Sequence, residues 1–393
     1  MRKDIAADGL RGMASLAVFF AHFLLPFYPV AFEPWFPGVS VSGSPSSSVE
    51  VILSVPVLST LWNGSFAVSV FFVLSGFVLC KRYVDTGDAG VVRSMASRRY
   101  LRLGLPVAAS VFFAWALGKA TPDVIEQVST ATGSAWLRGN SLAGLGFLDA
   151  LKDAAYGVLL EGSNRFNTVF WTMRVELIGS FLVFAYTLLS GSRRQTVIVA
   201  LTVLLIVVVG AAPGWPHFLA FLLGAFFAQS GLKASSWVGW PLIIVGLYLG
   251  GYSSRVIYSP FDRLGVPADS LKWILSTAGA ALVFLAVRGD TARSLLASKF
   301  SQFLGRISYS LYLVHAPIII GVGCPVFWWA VSEVGVGRSV AAGFALVVSL
   351  PASVLVAVAF EKFIDRKAIL WGRRLVVEGE RGTVVRSGSA PAR

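Results

Sequence analysis

The chain has 393 residues, of which 56% are hydrophobic and only 13% charged, and its mean hydropathy is +0.74. A soluble domain carries about 25% charged residues, so this chain lacks the charge to clothe a water-facing surface and is too apolar to be disordered. The net charge of +13 would raise nucleic-acid binding in a soluble protein, but here the basic residues sort by position between apolar stretches, which points to a membrane instead.

In chain order, ten apolar stretches of roughly 17 to 22 residues, long enough to cross ~30 Å of hydrocarbon as helix, occupy residues 10–28, 63–80, 103–118, 169–190, 195–212, 215–231, 236–252, 270–287, 303–323 and 339–360. Arg2 and Lys3 give the first the look of a signal peptide. Against that reading, Asp4, Asp8 and Arg11 interrupt its run-up, His22 interrupts its core, and no A-x-A site follows. Residues 29–62 include a Gly/Ser/Pro-rich tract without Lys or Arg, as a lid-like external loop would. Within residues 119–168, the apolar spacing from Leu142 to Leu160 predicts a short amphipathic or re-entrant helix. A transmembrane unit is expected over residues 1–374 and a disordered cytoplasmic tail over 375–393.

Cytoplasmic loops retain Lys and Arg. With the N-terminus inside, ten spans put 24 basic residues on the inner side and eight on the outer, with Arg174 inside a span. The expected fold class is therefore an all-α polytopic membrane protein of about ten transmembrane helices with both termini cytoplasmic. Cys80 and Cys324 then fall on opposite faces and read as packing residues, and no metal-ligand spacing is present.

An ionisable residue inside a span costs roughly 2.5–3.5 kcal/mol on insertion scales and is a functional candidate by default. His22, Arg174, Glu176 and His315 qualify. In the first span Asp8, Arg11, Ser15 and His22 share a stripe, because eleven residues from Arg11 to His22 make three turns plus about 20°. Arg174 and Glu176 point about 200° apart and should each find another partner. Ser308, Tyr312 and His315 repeat at i, i+4 and i+7 on one face, followed by Pro317, which should kink the helix. The bland alternatives are a snorkelling Arg11, interhelical tethers at Arg174 and Glu176, and a hydroxyl-rich packing seam. His217, after Pro213-Gly214-Trp215-Pro216, reads as interfacial.

The sequence Asp8-Gly9-Leu10-Arg11-Gly12 with His22 resembles the opening of acyltransferase family 3, polytopic membrane O-acyltransferases whose first helix carries an Arg and a His with ten residues between them. Phe71-Phe72-Val73-Leu74-Ser75-Gly76-Phe77 resembles the family's second-helix motif, Arg98-Arg99-Tyr100-Leu101-Arg102 its basic segment, and Ser308-Tyr309-Ser310-Leu311-Tyr312-Leu313-Val314-His315 its late helix. Trp171-Thr172-Met173-Arg174-Val175-Glu176 is similar to its tryptophan-to-glutamate motif, although Leu177-Ile178-Gly179 stands where aromatics usually follow. Some relatives carry a fused external hydrolase-like domain, for which this chain has no room after span ten.

The resemblance implies an acyl-CoA, acetyl-CoA above all, as co-substrate rather than bound cofactor. It also implies a hydroxyl acceptor such as an envelope or lipid-linked glycan, and a bacterial inner membrane. Acyl transfer needs a base, stabilisation of the oxyanion and a donor site. His22 suits the base, and Glu176, expected in the outer half of the bilayer level with His22, suits the carboxylate that orients it; Arg11 completes the expected catalytic group. Arg98, Arg99, Arg102 and Arg306 lie where CoA phosphates would arrive, which also fits a purely topological role. Ser75, Arg174, Ser308, Tyr312 and His315 are expected to line the channel. The rival readings are a proton- or anion-coupled transporter or flippase using the same polar seam, and an acyl-glycan sensor without turnover.

Overall fold

The computed structural model describes residues 4–41, 47–55, 58–121, 123–142, 144–189 and 214–372. Among them the regular structure is helical, with one isolated bridge between Ser40 and Ser134 and no strand. The principal helices are α1 (Ile5–Phe27), α2 (Gly64–Thr86), α3 (Arg99–Ala120), α4 (Phe147–Lys152), α5 (Trp171–Leu189), α6 (Trp215–Ser230), α7 (Ser236–Gly250), α8 (Ala268–Arg288), α9 (Lys299–Ile318) and α10 (Arg338–Phe360). Local chemistry sets several ends. The Asp4 carboxylate accepts from the Ala7 amide to start α1, the Asn63 side chain accepts from Ser65 and Phe66 to start α2, and α2 stops at Gly87, whose φ of 67° is open to glycine at little cost.

Seven helical segments among the described residues are long and apolar enough to cross a bilayer: Ile5–Phe27, Gly64–Thr86, Ala89–Ala120, Thr168–Leu189, Ala268–Arg288, Lys299–Ser332 and Arg338–Gly372. The described residues are thus all-helical in their regular structure, as in a multi-pass membrane protein. Of the ten expected spans, 195–212 lies outside the described residues. Those at 215–231 and 236–252 are helices of 16 and 15 residues, roughly 24 and 23 Å at 1.5 Å per residue, short of the hydrocarbon thickness.

Glycines set the two tightest helix pairs. Gly76 of α2 lies against the Phe221 carbonyl of α6, and Gly224 of α6 against that of Val73. Helices α1 and α9 run parallel and touch at Gly12, where an added Cβ would stand 2.6 Å from both the Gly305 amide nitrogen and the Ser301 carbonyl oxygen. Small residues permit this approach of backbones, whose dispersion contacts hold helices together where lipid removes the hydrophobic drive. His22 and His315 each stand ten residues beyond the crossing, so equal rise brings them to one level.

The segment expected to be amphipathic or re-entrant forms α4 and continues as a wider π-type helix over Asp153–Glu161. It descends beside α3: the Phe147 ring lies 5.4 Å from that of Trp115, and Tyr100 Oη donates to the Ala155 carbonyl at 2.5 Å. The chain then climbs back, its two limbs tied by Arg165 to Asp149 and Asp153, both at 2.8 Å. At the top Asn167 Nδ2 donates to the Leu313 carbonyl at 2.7 Å, and Ser110 Oγ of α3 donates to the same oxygen at 2.6 Å. Leu313 is the carbonyl whose i+4 partner is Pro317, which has no N–H to give. Two neighbouring elements therefore supply the hydrogen bonds that the proline withholds.

Candidate active site at the basic end of the bundle

A cavity of about 270 Å³ opens where Arg11 of α1, Arg99 and Arg102 of α3 and Arg306 of α9 converge, with Glu176 of α5 and Asp365 just beyond α10 in the same wall. Four guanidinium groups against two carboxylates leave its lining net positive. Arg11 pairs with Asp8 at 3.2 Å, Arg102 pairs with Asp365, and Arg306 lies over the Phe303 ring. A second cavity of about 190 Å³ shares Arg99 and Arg102 as wall and adds Arg82 and Arg98. The expected donor-binding arginines are thus gathered at one end, Arg98 in the side cavity and the others in the main one.

Glu176 is not where the sequence argument put it. Its Oε1 accepts from Arg99 Nη2 at 2.5 Å and from Ser75 Oγ at 2.8 Å, while Arg99 Nε donates to Ser180 Oγ at 2.7 Å. Arg99 opens α3 at the basic end, so Glu176 lies there rather than level with His22. Thr172, one turn from Glu176, bonds Tyr312 at 2.8 Å, and His315 lies a further turn in the other direction, so Glu176 and the histidine are separated by roughly 10 Å along the axis. The carboxylate serves the arginine. Arg174 is also displaced: it is exposed beside the Gly162 turn and lines no part of the cavity, as its 200° offset from Glu176 requires.

Ser75, Ser308 and Tyr312 do line the main cavity. Tyr312 is in its wall, with Phe71 packed edge-on at 5.7 Å between ring centroids. One turn beyond Tyr312, His315 and His22 face one another, Nε2 to Nδ1 at 3.2 Å. His315 is 1% exposed and His22 half-buried beneath Trp136 of the segment after α3. His217 lies apart, against Trp273 and Trp171.

The hydrogen bonds assign the tautomers. His315 Nδ1 lies 2.9 Å from the Leu311 carbonyl and His22 Nδ1 lies 3.0 Å from the Val18 carbonyl. A carbonyl only accepts, so both Nδ1 atoms carry the proton. His315 Nε2 is then an acceptor toward His22 Nδ1–H, which it shares with the Val18 carbonyl, and His22 Nε2 has no described residue bonded to it.

The sequence did not disclose Asp365, Arg82, Thr172, Asn167 or Ser110. Only Pro317 carried a usable signal, since a proline announces an unsatisfied carbonyl four residues back. Among the described residues no group of three or more metal-ligating side chains occurs, and Cys80 and Cys324 are both buried and free.

A multi-pass helical bundle with a basic cavity at one end and a pair of facing histidines beyond it is the class that fold and site define. The chain belongs to acyltransferase family 3: the family's acyltransferase-domain model matches residues 4–358. Acyltransferase clz18 of Cochliobolus lunatus is 25% identical, over 91% of this chain and 92% of its own. An acyltransferase of a Phoma species is 26% identical, over 92% and 93%. O-acetyltransferase PaAT-1 of Phomopsis amygdali is 25% identical, over 80% and 72%. No solved structure matches the chain. The protein is a transferase of acyl groups, which weighs against the transport and sensing alternatives.

Proposed function

We propose that the protein moves an acyl group, acetyl above all, from acyl-CoA to a hydroxyl acceptor such as a glycan, with His22 as general base. The observation that carries this reading is that His22 Nε2, with Nδ1 turned to Val18 and His315, has no described residue bonded to it and stands about one turn beyond Tyr312 in the wall of a cavity rich in arginine. One relative's being an O-acetyltransferase supports acetyl as the group moved. Because these relatives are fungal, we assign no bacterial inner membrane.

In this reading the bundle crosses the membrane ten times with both termini cytoplasmic, and the cavity faces the cytoplasm. Arg11, Arg99, Arg102 and Arg306, with Arg98 beside them, receive the phosphates of CoA, since guanidinium forks match phosphate oxygens in pairs. The acyl-pantetheine arm lies along Ser75 and Ser308 toward Tyr312. His22 Nε2 takes the acceptor hydroxyl's proton, the acceptor oxygen bonds to the thioester carbonyl carbon, the C–S bond breaks, and the CoA thiolate recovers the proton from His22. The hydroxyls of Tyr312 and Thr172 stand in the cavity wall, where donors to the oxyanion are needed.

The test is release of free CoA by purified protein given acetyl-CoA and candidate hydroxyl acceptors, beside Arg11→Ala and His22→Ala. Acceptor-dependent release that falls at least about 100-fold in His22→Ala is expected. A correctly inserted His22→Ala protein with full turnover would remove the base assignment.

A further inference from the structure

We infer that His315 is the positioning residue of His22, holding its ring and its tautomer from the neighbouring helix so that Nε2 is presented as a base. The inference rests on the reading of His22 as base, and it gives His315 a task other than lining a channel. It starts from burial. Neither histidine lines a cavity at the basic end; of the two, His315 is enclosed, at 1% exposure, and His22 is half-buried, so His22 is the ring that a substrate can reach. Its Nδ1–H is committed to the Leu311 carbonyl. That fixes Nε2 as a lone pair, and the partner facing it is His22 Nδ1–H at 3.2 Å.

The Val18 carbonyl alone leaves the His22 ring loosely held. That oxygen belongs to the same helix, four residues back, and also accepts the backbone N–H of His22 in the regular pattern. A second acceptor on another helix adds a direction, and the rings meet edge-on, at 63° and 5.0 Å between centroids. When Nε2 takes the acceptor's proton, the imidazolium keeps Nδ1–H pointed at His315, whose lone pair then faces a cation rather than a neutral ring. The interaction strengthens as charge develops, which is what lowers a barrier rather than improving binding. A histidine here fills the place that the sequence argument gave to the Glu176 carboxylate.

The surroundings of His315 are built to keep this geometry. Two residues before it, the Leu313 carbonyl freed by Pro317 is held by both Ser110 and Asn167. Three residues before it, Tyr312 is held by Thr172. Ten residues before it, Gly305 sets the approach to α1.

The chain has three histidines, so nitrogen-15 labelling of histidine alone in the full-length, detergent-solubilised protein gives a spectrum in which His22 is assigned by comparison with His22→Ala. Wild type, His315→Leu and His315→Gln are compared by that spectrum and by kcat and KM for acetyl-CoA. In wild type His22 should show one tautomer, protonated at Nδ1. His315→Leu should mix the tautomers and lower kcat on the order of tenfold to hundredfold with KM for the donor unchanged. His315→Gln, whose amide oxygen accepts where Nε2 did, should restore most of both. A folded His315→Leu protein with wild-type kcat and an unaltered His22 signal overturns the inference, and so does a folded His315→Gln protein as impaired as His315→Leu. Full activity in His22→Ala defeats the base reading instead, and the nitrogen spectrum still decides whether His315 sets the tautomer.

Discussion

At the scale of single residues, the site separates charge from proton transfer. The Arg99–Glu176 pair is 13% and 14% exposed at its side chains, and removing one member of a buried pair leaves the other uncompensated at a cost of about 3 kcal/mol. Glu176→Ala should therefore lower the unfolding temperature measured in detergent, and Arg99→Met combined with Glu176→Leu should recover most of the loss. A single substitution without a shift would mean that the pair is indifferent to stability. The stripe from Arg11 to His22 was legible in the sequence because helix periodicity alone decides which residues share a face. The partner of Glu176 was not, because rotation and depth of one helix against another follow from packing. The amphipathic or re-entrant helix expected between Leu142 and Leu160 is present, but periodicity did not give its consequence, which is that α5 starts partway down the bundle and Glu176 falls to the level of Arg99.

At the scale of elements, the re-entrant segment and α3 together repair α9 where proline breaks it. Asn167→Leu leaves the Leu313 carbonyl with Ser110 alone, and adding Ser110→Ala leaves it bare. An unsatisfied buried carbonyl costs about 1–3 kcal/mol, so the double variant should lose distinctly more stability than either single one. Activity should fall further than stability, because the carbonyl sits two residues from His315. Equal losses in the double and single variants would show that the two donors are not interchangeable supports for one oxygen. Pro317 was readable as a kink; which side chains answer the freed carbonyl was not, since Ser110 and Asn167 lie 203 and 146 residues away in the chain.

At the scale of the whole molecule, composition fixed the class and hydropathy placed helices at nine of the ten expected stretches, the tenth being outside the described residues. What hydropathy does not decide is whether a 15-residue helix crosses. In a background with Cys80 and Cys324 replaced by alanine, single cysteines at the exposed positions Ser97, Ser235 and Ser254 address this with a membrane-impermeant thiol reagent in sealed vesicles. The ten-crossing arrangement expects Ser97 and Ser235 on one side and Ser254 on the other; Ser235 and Ser254 labelled from the same side would take α7 out of the count. The parallel contact of α1 and α9 has its own consequence for lipid. Helices accommodate a thinner or thicker bilayer by changing tilt, and a pair joined closely at one level swings about that point. Each histidine stands the same rise above the Gly12–Gly305 contact, so a shared tilt carries both rings together and leaves their spacing set by register, which insulates the pair from the thickness of the membrane around it.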